Sequence, residues 1–318
     1  MRILVVTPAS PRSTLGNRVT AVRWQKILRQ LGHRVSISQS FQKQPCELLI
    51  ALHARRSHAS IVRFRQAYPN RPIILALTGT DLYRDIRINL DARQSLKMAD
   101  RIVVLQPLAL RELARSERKK TRVIYQSVEI SKRELKPGSS RGSFDVCLVG
   151  HLRAVKDPFR AALAARLLPN ESRIRILQIG SALTKQMERR AKREAKINPR
   201  FEWLGEVSRA RTFRELARSQ VCVISSRMEG GANVLSEAIV ASLPVLASRI
   251  AGNIAILGDD YPGLFDVGAT RQLKQLMQRL ESDPAFRGEL SKRTRTLARL
   301  FNPRREEQSW AELLKELI

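Results

Sequence analysis

The stretch from Ser225 to Ser248, SSRMEGGANVLSEAIVASLPVLAS, runs from a loop holding Glu229, Gly230 and Gly231 into a helical segment that begins near Asn233. An apolar run, VCVIS, precedes it and reads as a buried strand; another strand starts at Leu243–Pro244. Glycines let a backbone approach a ligand closely, and a helix N-terminus offers N–H groups with partial positive charge, a combination suited to a phosphate or diphosphate. Glu229 and Glu237 are eight positions apart, one in the loop and the other inside the helix, where carboxylates bind sugar or ribose hydroxyls. The same spacing also fits an ordinary strand–turn–helix with solvated glutamates.

A second constellation is CLVGHLRAVKDP, Cys147–Pro158, in which a strand runs into Gly150 and is followed by His151, Arg153 and Lys156. Cations beyond a strand's carboxyl end neutralise a departing diphosphate; in so basic a chain they equally fit an ordinary surface loop. A third, FEWLGEVS at Phe201–Ser208, is a short strand closing on Gly205 through Leu204. Neither GxxxxGK[ST] nor GxGxxG occurs, which argues against a P-loop nucleotidase and a standard dinucleotide fold. Cys46, Cys147 and Cys222 are far apart with no metal-ligand spacing, so they read as three buried, reduced thiols and no metal is expected.

The elements that must position these residues alternate along the chain. Strands are expected at Arg2–Val6, Arg34–Ser38, Glu47–Leu52, Ile73–Leu77, Arg101–Leu105 and Arg122–Tyr125, then at Asp145–Val149, Ile174–Ile179, Val221–Ser225 and Pro244–Ala247. Amphipathic stretches such as Val19–Leu31, Arg87–Met98, Arg160–Leu168 and Arg211–Ser219 lie between them. Such alternation implies parallel sheets covered by helices on both faces. The polar run Ser131–Ser143, SKRELKPGSSRGS, separates two similar halves and reads as an interdomain linker. Expected domains are residues 1–137, with a C-terminal helix 303–318 packing back, and residues 143–302. Ligands of such sheets bind at the carboxyl ends of the strands.

The 318 residues suffice for two buried cores, and 43% are hydrophobic. No apolar run spans a bilayer and the N-terminus lacks a signal peptide's apolar region, so a cytoplasmic location is expected. Lys and Arg number 58 against 29 Asp and Glu, a formal charge of +29. By direct count 14 of the 58 are Lys and 44 are Arg, scattered over helix faces and not gathered in a stripe, which weighs against a dedicated nucleic-acid binder. Part of the excess suits a site for small anions.

In their order and distances, GHLRAVK, FEWLGEVS and Glu229-x7-Glu237 resemble the retaining, nucleotide-sugar-dependent glycosyltransferases of family 4, which have the GT-B fold. ADRIVVLQ and TRVIYQSVEI look like that family's strands leading to the hinge. The resemblance implies an α/β architecture of two doubly wound Rossmann-like domains facing each other across a cleft. It also implies that Lys156 holds the diphosphate, Glu237 the ribose hydroxyls and Glu229 the donor sugar. Gly150, Gly230, Gly231, Ala232, Asn233, Val234 and Leu204 would complete the nucleotide-sugar site. The family's usual Arg after the glycine is His151 here, leaving Arg153 to supply that charge.

The N-terminal half resembles a narrower group. TPASPRSTLGNRVTAVRWQKILRQLGHRV, ALHARRSHASI and LALTGTDLYRDI are similar to the selenosugar synthases of selenoneine biosynthesis, which join selenophosphate to the anomeric carbon of a UDP-sugar. On that fold the loop with Gly16, Asn17 and Arg18, the loop with His53, Arg55 and Arg56, and the loop with Thr78, Gly79, Thr80 and Asp81 would form the acceptor wall. Three Arg match a phosphate-like anion through their planar forks better than a sugar hydroxyl. An already anionic selenium needs no strong base; Asp81 and His53 are the candidates should one be required, with Glu229 as the outside choice. The expected partners are thus a UDP-sugar, UDP-N-acetylglucosamine, and selenophosphate, with no cofactor, nucleic acid or stable membrane insertion. The alternative is a family 4 enzyme acting on a hydroxyl of a lipid or cell-surface glycan.

Overall fold

Strand-forming runs of Leu, Ile and Val build two separate sheets, each of six parallel strands. The computed structural model describes residues 1–130 and 142–317. Two compact units result, one from Met1–Ser127, Glu229–Gly231 and Asn302–Ile318, the other from Val128–Met228 and Ala232–Phe301. Most of the expected linker, Ser131–Ser143, lies outside the described residues, as does the boundary at residue 137.

In unit 1 the strands are β1 (Arg2–Val6), β2 (Arg34–Ser38), β3 (Leu48–Leu52), β4 (Ile73–Leu77), β5 (Arg101–Val104) and β6 (Thr121–Val123). Their order is β2-β1-β3-β4-β5-β6, so the winding reverses beside β1, between β2 and β3. Every residue of β3 and β4 is buried, as continuous apolar runs in a sheet covered on both faces require. Alternation along β1 divides the core: Ile3 and Val5 join Trp24 and Trp310 on one face, Leu4 and Val6 join Phe41 and Phe64 on the other.

The helix Pro303–Lys315 completes the first of these layers. Asn302 caps it by accepting from Arg304 N at 2.9 Å, and Pro303 occupies the first turn, where its missing N–H costs nothing. Trp310 is fully buried, edge-on to Trp24 with ring centroids 4.8 Å apart. Glu306, also buried, accepts from Trp24 Nε1 at 2.8 Å and from Ser127 N at 2.7 Å.

Unit 2 contains β7 (Phe144–Val149), β8 (Ile174–Ile179), β9 (Phe201–Gly205), β10 (Val221–Ile224), β11 (Val245–Ser248) and β12 (Leu264–Phe265) in the order β12-β11-β10-β7-β8-β9. Here the winding reverses between β7 and β10. Cys147 and Cys222 are register partners on those strands. Cys46, Cys147 and Cys222 are all free and buried, and burial raises the Cys147 thiol to about 12 and the Cys46 thiol to about 11.

Two helical expectations change. The first helix spans Gly16–Gln30, so Gly16, Asn17 and Arg18 form its first turn and not a preceding loop. The stretch expected as one helix over Arg87–Met98 is broken at Asn89, whose side chain accepts from Ala92 N at 2.9 Å and so starts a fresh helix, Leu90–Met98. No helix among the described residues is long and apolar enough to cross a membrane.

Trp310→Ala removes one of the two tryptophans of the layer that the C-terminal helix completes. It should cost about 3–5 kcal/mol, read as a lowered urea midpoint of unit 1; an unchanged midpoint would show that the helix adds nothing to that core.

Candidate active site

In unit 2, the loop after β7 is laid along the end of β8. Gly150 N donates to Ile179 O at 2.8 Å and Leu152 N to Ser181 O at 2.9 Å. A side chain at Gly180 would place its Cβ 2.3 Å from Gly150 O, so only glycine permits this approach. Gly180 is itself fixed from β9: its N donates to Gly205 O at 2.7 Å, and its carbonyl accepts from Trp203 Nε1 at 2.8 Å. Trp203 is thus a supporting residue that spacing did not single out. Leu204 sits between it and Gly205 on an edge strand, away from the depression described next.

Beyond Gly150 the ring of His151 is held through Nδ1 at 2.7 Å from Ser181 Oγ. Arg153 is exposed and precedes a short turn, Ala154–Lys156. The turn ends at Asp157, which adopts a left-handed φ of 43° and accepts from Arg160 Nε at 2.9 Å. Ser225, at the end of β10, donates through Oγ to Asp157 O at 2.8 Å, and Arg227 N donates to Val155 O at 2.8 Å. These bonds tie the loops after β7 and β10 together on either side of the winding reversal, where open α/β sheets bind ligands. A small depression there is lined by Gly150, Lys156, Gln178, Ser225, Ser226 and Val234. It brings together Gly150, Lys156 and Val234 of the expected nucleotide-sugar residues. Val234 belongs to the first turn of the helix Asn233–Val240, preceded by Ala232; that end carries neither a side-chain cap nor an acidic first-turn residue. Glu237 lies further along the same helix, half-buried.

Glu229, Gly230 and Gly231 cluster with unit 1. A Cβ on Gly230 would lie 2.6 Å from the carbonyl of Thr78, and one on Gly231 2.7 Å from Leu105 Cβ. Both glycines are therefore required where the backbone meets protein.

The loops after β3 and β4 are joined by one carboxylate. Asp81 is fully buried; Oδ1 accepts from Gly79 N at 2.8 Å and Thr78 N at 3.0 Å, and Oδ2 accepts from Ala54 N at 3.1 Å. Such a setting makes it a fastener of loops, with no oxygen directed to solvent. His53 has a positive φ of 76°, with its Nε2 3.2 Å from Thr80 Oγ1. Arg56 N donates to its Nδ1 at 3.4 Å, which places the neutral ring's proton on Nε2. Burial pushes the imidazole below its ordinary value, opposed in part by Asp81, with Arg56 adding to the fall. Arg56 is exposed, and Arg55 is partly so. Among the described residues no three His, Cys, Asp or Glu side chains are gathered in a way that would hold a metal ion.

A family model described as "Glycosyl transferases group 1" matches residues 131–297, more than half of the 318. The chain belongs to that family. Solved structures agree at the level of fold. HepE of Anabaena, in complex with UDP-glucose, superposes with a TM-score of 0.78 at 16% identity over 100% of both chains. The sucrose-phosphate synthase of Thermosynechococcus elongatus gives 0.80 at 17% identity, covering 99% of this chain and 98% of that one. A glycosyltransferase from Rickettsia africae gives 0.73 at 14%, with 99% and 98% covered. This group 1 glycosyltransferase thus has the parallel-sheet α/β units of the GT-B fold.

Gly180→Ala forces a Cβ into the Gly150 carbonyl. Destabilisation of unit 2 by about 1–3 kcal/mol is expected, together with shifted amide resonances at Gly150 and His151; unchanged resonances would mean that the contact yields freely.

Proposed function

We propose that this group 1 glycosyltransferase takes UDP-N-acetylglucosamine as donor and selenophosphate as acceptor, joining selenium to the anomeric carbon. Unit 2 supplies the donor site: Gly150, Ala232, Asn233 and Val234 offer backbone, Lys156 and Arg153 face the diphosphate, and Glu237 takes the ribose. Glu229 is assigned to the sugar. HepE's complex with UDP-glucose is consistent with a UDP-sugar donor on this fold. The selenium assignment draws on the N-terminal phrases that resemble selenosugar synthases.

One observation carries the acceptor class. The loops after β3 and β4 hold their two carboxylates, Asp81 and Asp85, buried at 0% and 1% exposure, while Arg55, Arg56 and Arg84 reach solvent. A sugar hydroxyl calls for carboxylates and amides, whereas the planar forks of arginines suit a phosphate-like anion. In the proposed step a selenium lone pair attacks C1, the C1–O bond to the diphosphate breaks, and UDP leaves with the bonding pair. Selenium is already anionic, so no proton is removed. Stabilising the departing UDP is then the main catalytic task, met by Lys156, Arg153 and the N-terminus of Asn233–Val240. The immediate product carries selenium bonded to both carbon and phosphorus.

Mass spectrometry after mixing the protein with UDP-N-acetylglucosamine and fresh selenophosphate should give a sugar product with selenium's isotope pattern and free UDP. UDP release no faster than without selenophosphate would overturn the acceptor assignment and direct attention to hydroxyl acceptors. Lys156→Ala should lower turnover by roughly a hundredfold or more with the unfolding midpoint nearly unchanged, since Lys156 contributes charge and little packing. Turnover like that of the unaltered protein would remove it from the mechanism.

A further inference from the structure

Asp85 is the second buried carboxylate of unit 1's wall, and no role has yet been assigned to it. It closes the wide turn Asp81–Asp85, in which Asp81 O accepts from Ile86 N, five residues on. That winding turns both Asp81 and Asp85 inward and leaves Arg84 outside. Asp85 Oδ1 accepts from Arg84 Nε at 3.0 Å. Arg55 Nε lies 3.1 Å from Oδ2, and His53 Nε2 lies 3.9 Å from it. The Arg55 N–H is turned aside, so neither Arg55 Nε nor Asp85 Oδ2 makes a hydrogen bond despite being buried.

Two guanidinium groups therefore make their closest approach to one carboxylate through Nε. Neither is a fork-to-fork pair, and the terminal nitrogens of Arg55 and Arg84 make no hydrogen bond to a described residue. Their side chains are 40% and 52% exposed, against 2% for Asp85. The forks project from a buried anchor, an arrangement that grips a tetrahedral oxyanion from two sides.

We infer that Arg55 and Arg84 form a two-armed subsite for a phosphate-like oxyanion, with Asp85 as its positioning residue. The subsite rests on the acceptor reading above only for naming its anion as selenophosphate; an oxyanion site on unit 1 stands or falls by itself. Asp85 has two opposed effects on a bound anion. As a negative charge it repels the anion, and as an anchor it aims both arms. Positioning prevails if removing its charge weakens binding.

The test is titration of the full-length protein with inorganic phosphate, followed by calorimetry and phosphorus NMR. Arg84→Gln should weaken phosphate binding by about tenfold. Arg63→Gln, which removes the same charge from an exposed position on the helix His58–Ala67, should leave binding unchanged. Asp85→Asn should weaken it by several-fold although a repelling charge is gone, and combined with Arg84→Gln it should add little further loss. If Asp85→Asn does not fold, Arg55→Gln alone and together with Arg84→Gln carries the test, with each expected to weaken binding. Equal losses in Arg84→Gln and Arg63→Gln, tighter binding in Asp85→Asn, or no saturable binding by the unaltered protein would overturn the subsite. Turnover of selenophosphate with an unchanged KM in Arg84→Gln would remove the subsite and leave the acceptor reading intact. Phosphate binding as expected without any turnover of selenophosphate would keep the subsite and remove the acceptor reading.

Discussion

Parallel strands end together at one edge of a sheet, and the loops that leave them have no ladder to satisfy their N–H groups. Unit 1 meets this need with the carboxylate of Asp81, which takes N–H groups from the loops after both β3 and β4. The part of the wall built on the loops after β3 and β4 depends on that anchor. It fixes Thr78 and Gly79 beside Gly230, sets His53 against Thr80, and begins the turn that carries Arg84 and Asp85. A buried carboxylate surrounded by N–H donors is well compensated, whereas loss of its oxygens would leave backbone donors unpaired in a dry interior.

Unit 2 solves the same problem with backbone and glycine. Gly205 supports Gly180, Gly180 supports Gly150, and the loop carrying Lys156 follows. Such a relay has little tolerance for added volume, because each step is a contact between main chains. The two units thus each have six parallel strands, in different orders, and fasten their working loops by different chemistry.

The strands were legible because buried parallel strands must be continuous apolar runs, and ILAL or LLIAL allow little else. Their ends were less so: β6 begins at Thr121 and stops at Val123, where pairing with β5 stops. The helix start at Gly16 was hidden because its N-cap is Leu15, a residue with no capping oxygen. Asn89 was a visible cap signal, masked by the apolar periodicity on either side of it. Among site residues, the spacing of Gly150, Lys156 and the segment near Val234 was enough to bring them to one depression. Burial was not readable: nothing in the types of Asp81 and Asp85 says that both point inward, because this depends on the wide turn between them. The glycines at 230 and 231 were recognisable as sites of close approach, but sequence does not say what approaches.

The placement of Trp310 bears on how the polypeptide is made. Unit 1 draws its strands from the first part of the chain, yet one face of that sheet is closed by Trp310, Leu313 and Leu314. All of unit 2 is synthesised in between. While unit 2 is being made, Trp24 and its neighbours therefore still lack their cover, and Glu306 is not yet there to receive the Trp24 indole and Ser127 N–H groups. The first half of the chain must wait, partly assembled and with an apolar face open, until the segment carrying Trp310 has been made. Protecting that open face during the interval is a cost written into the connectivity of the fold.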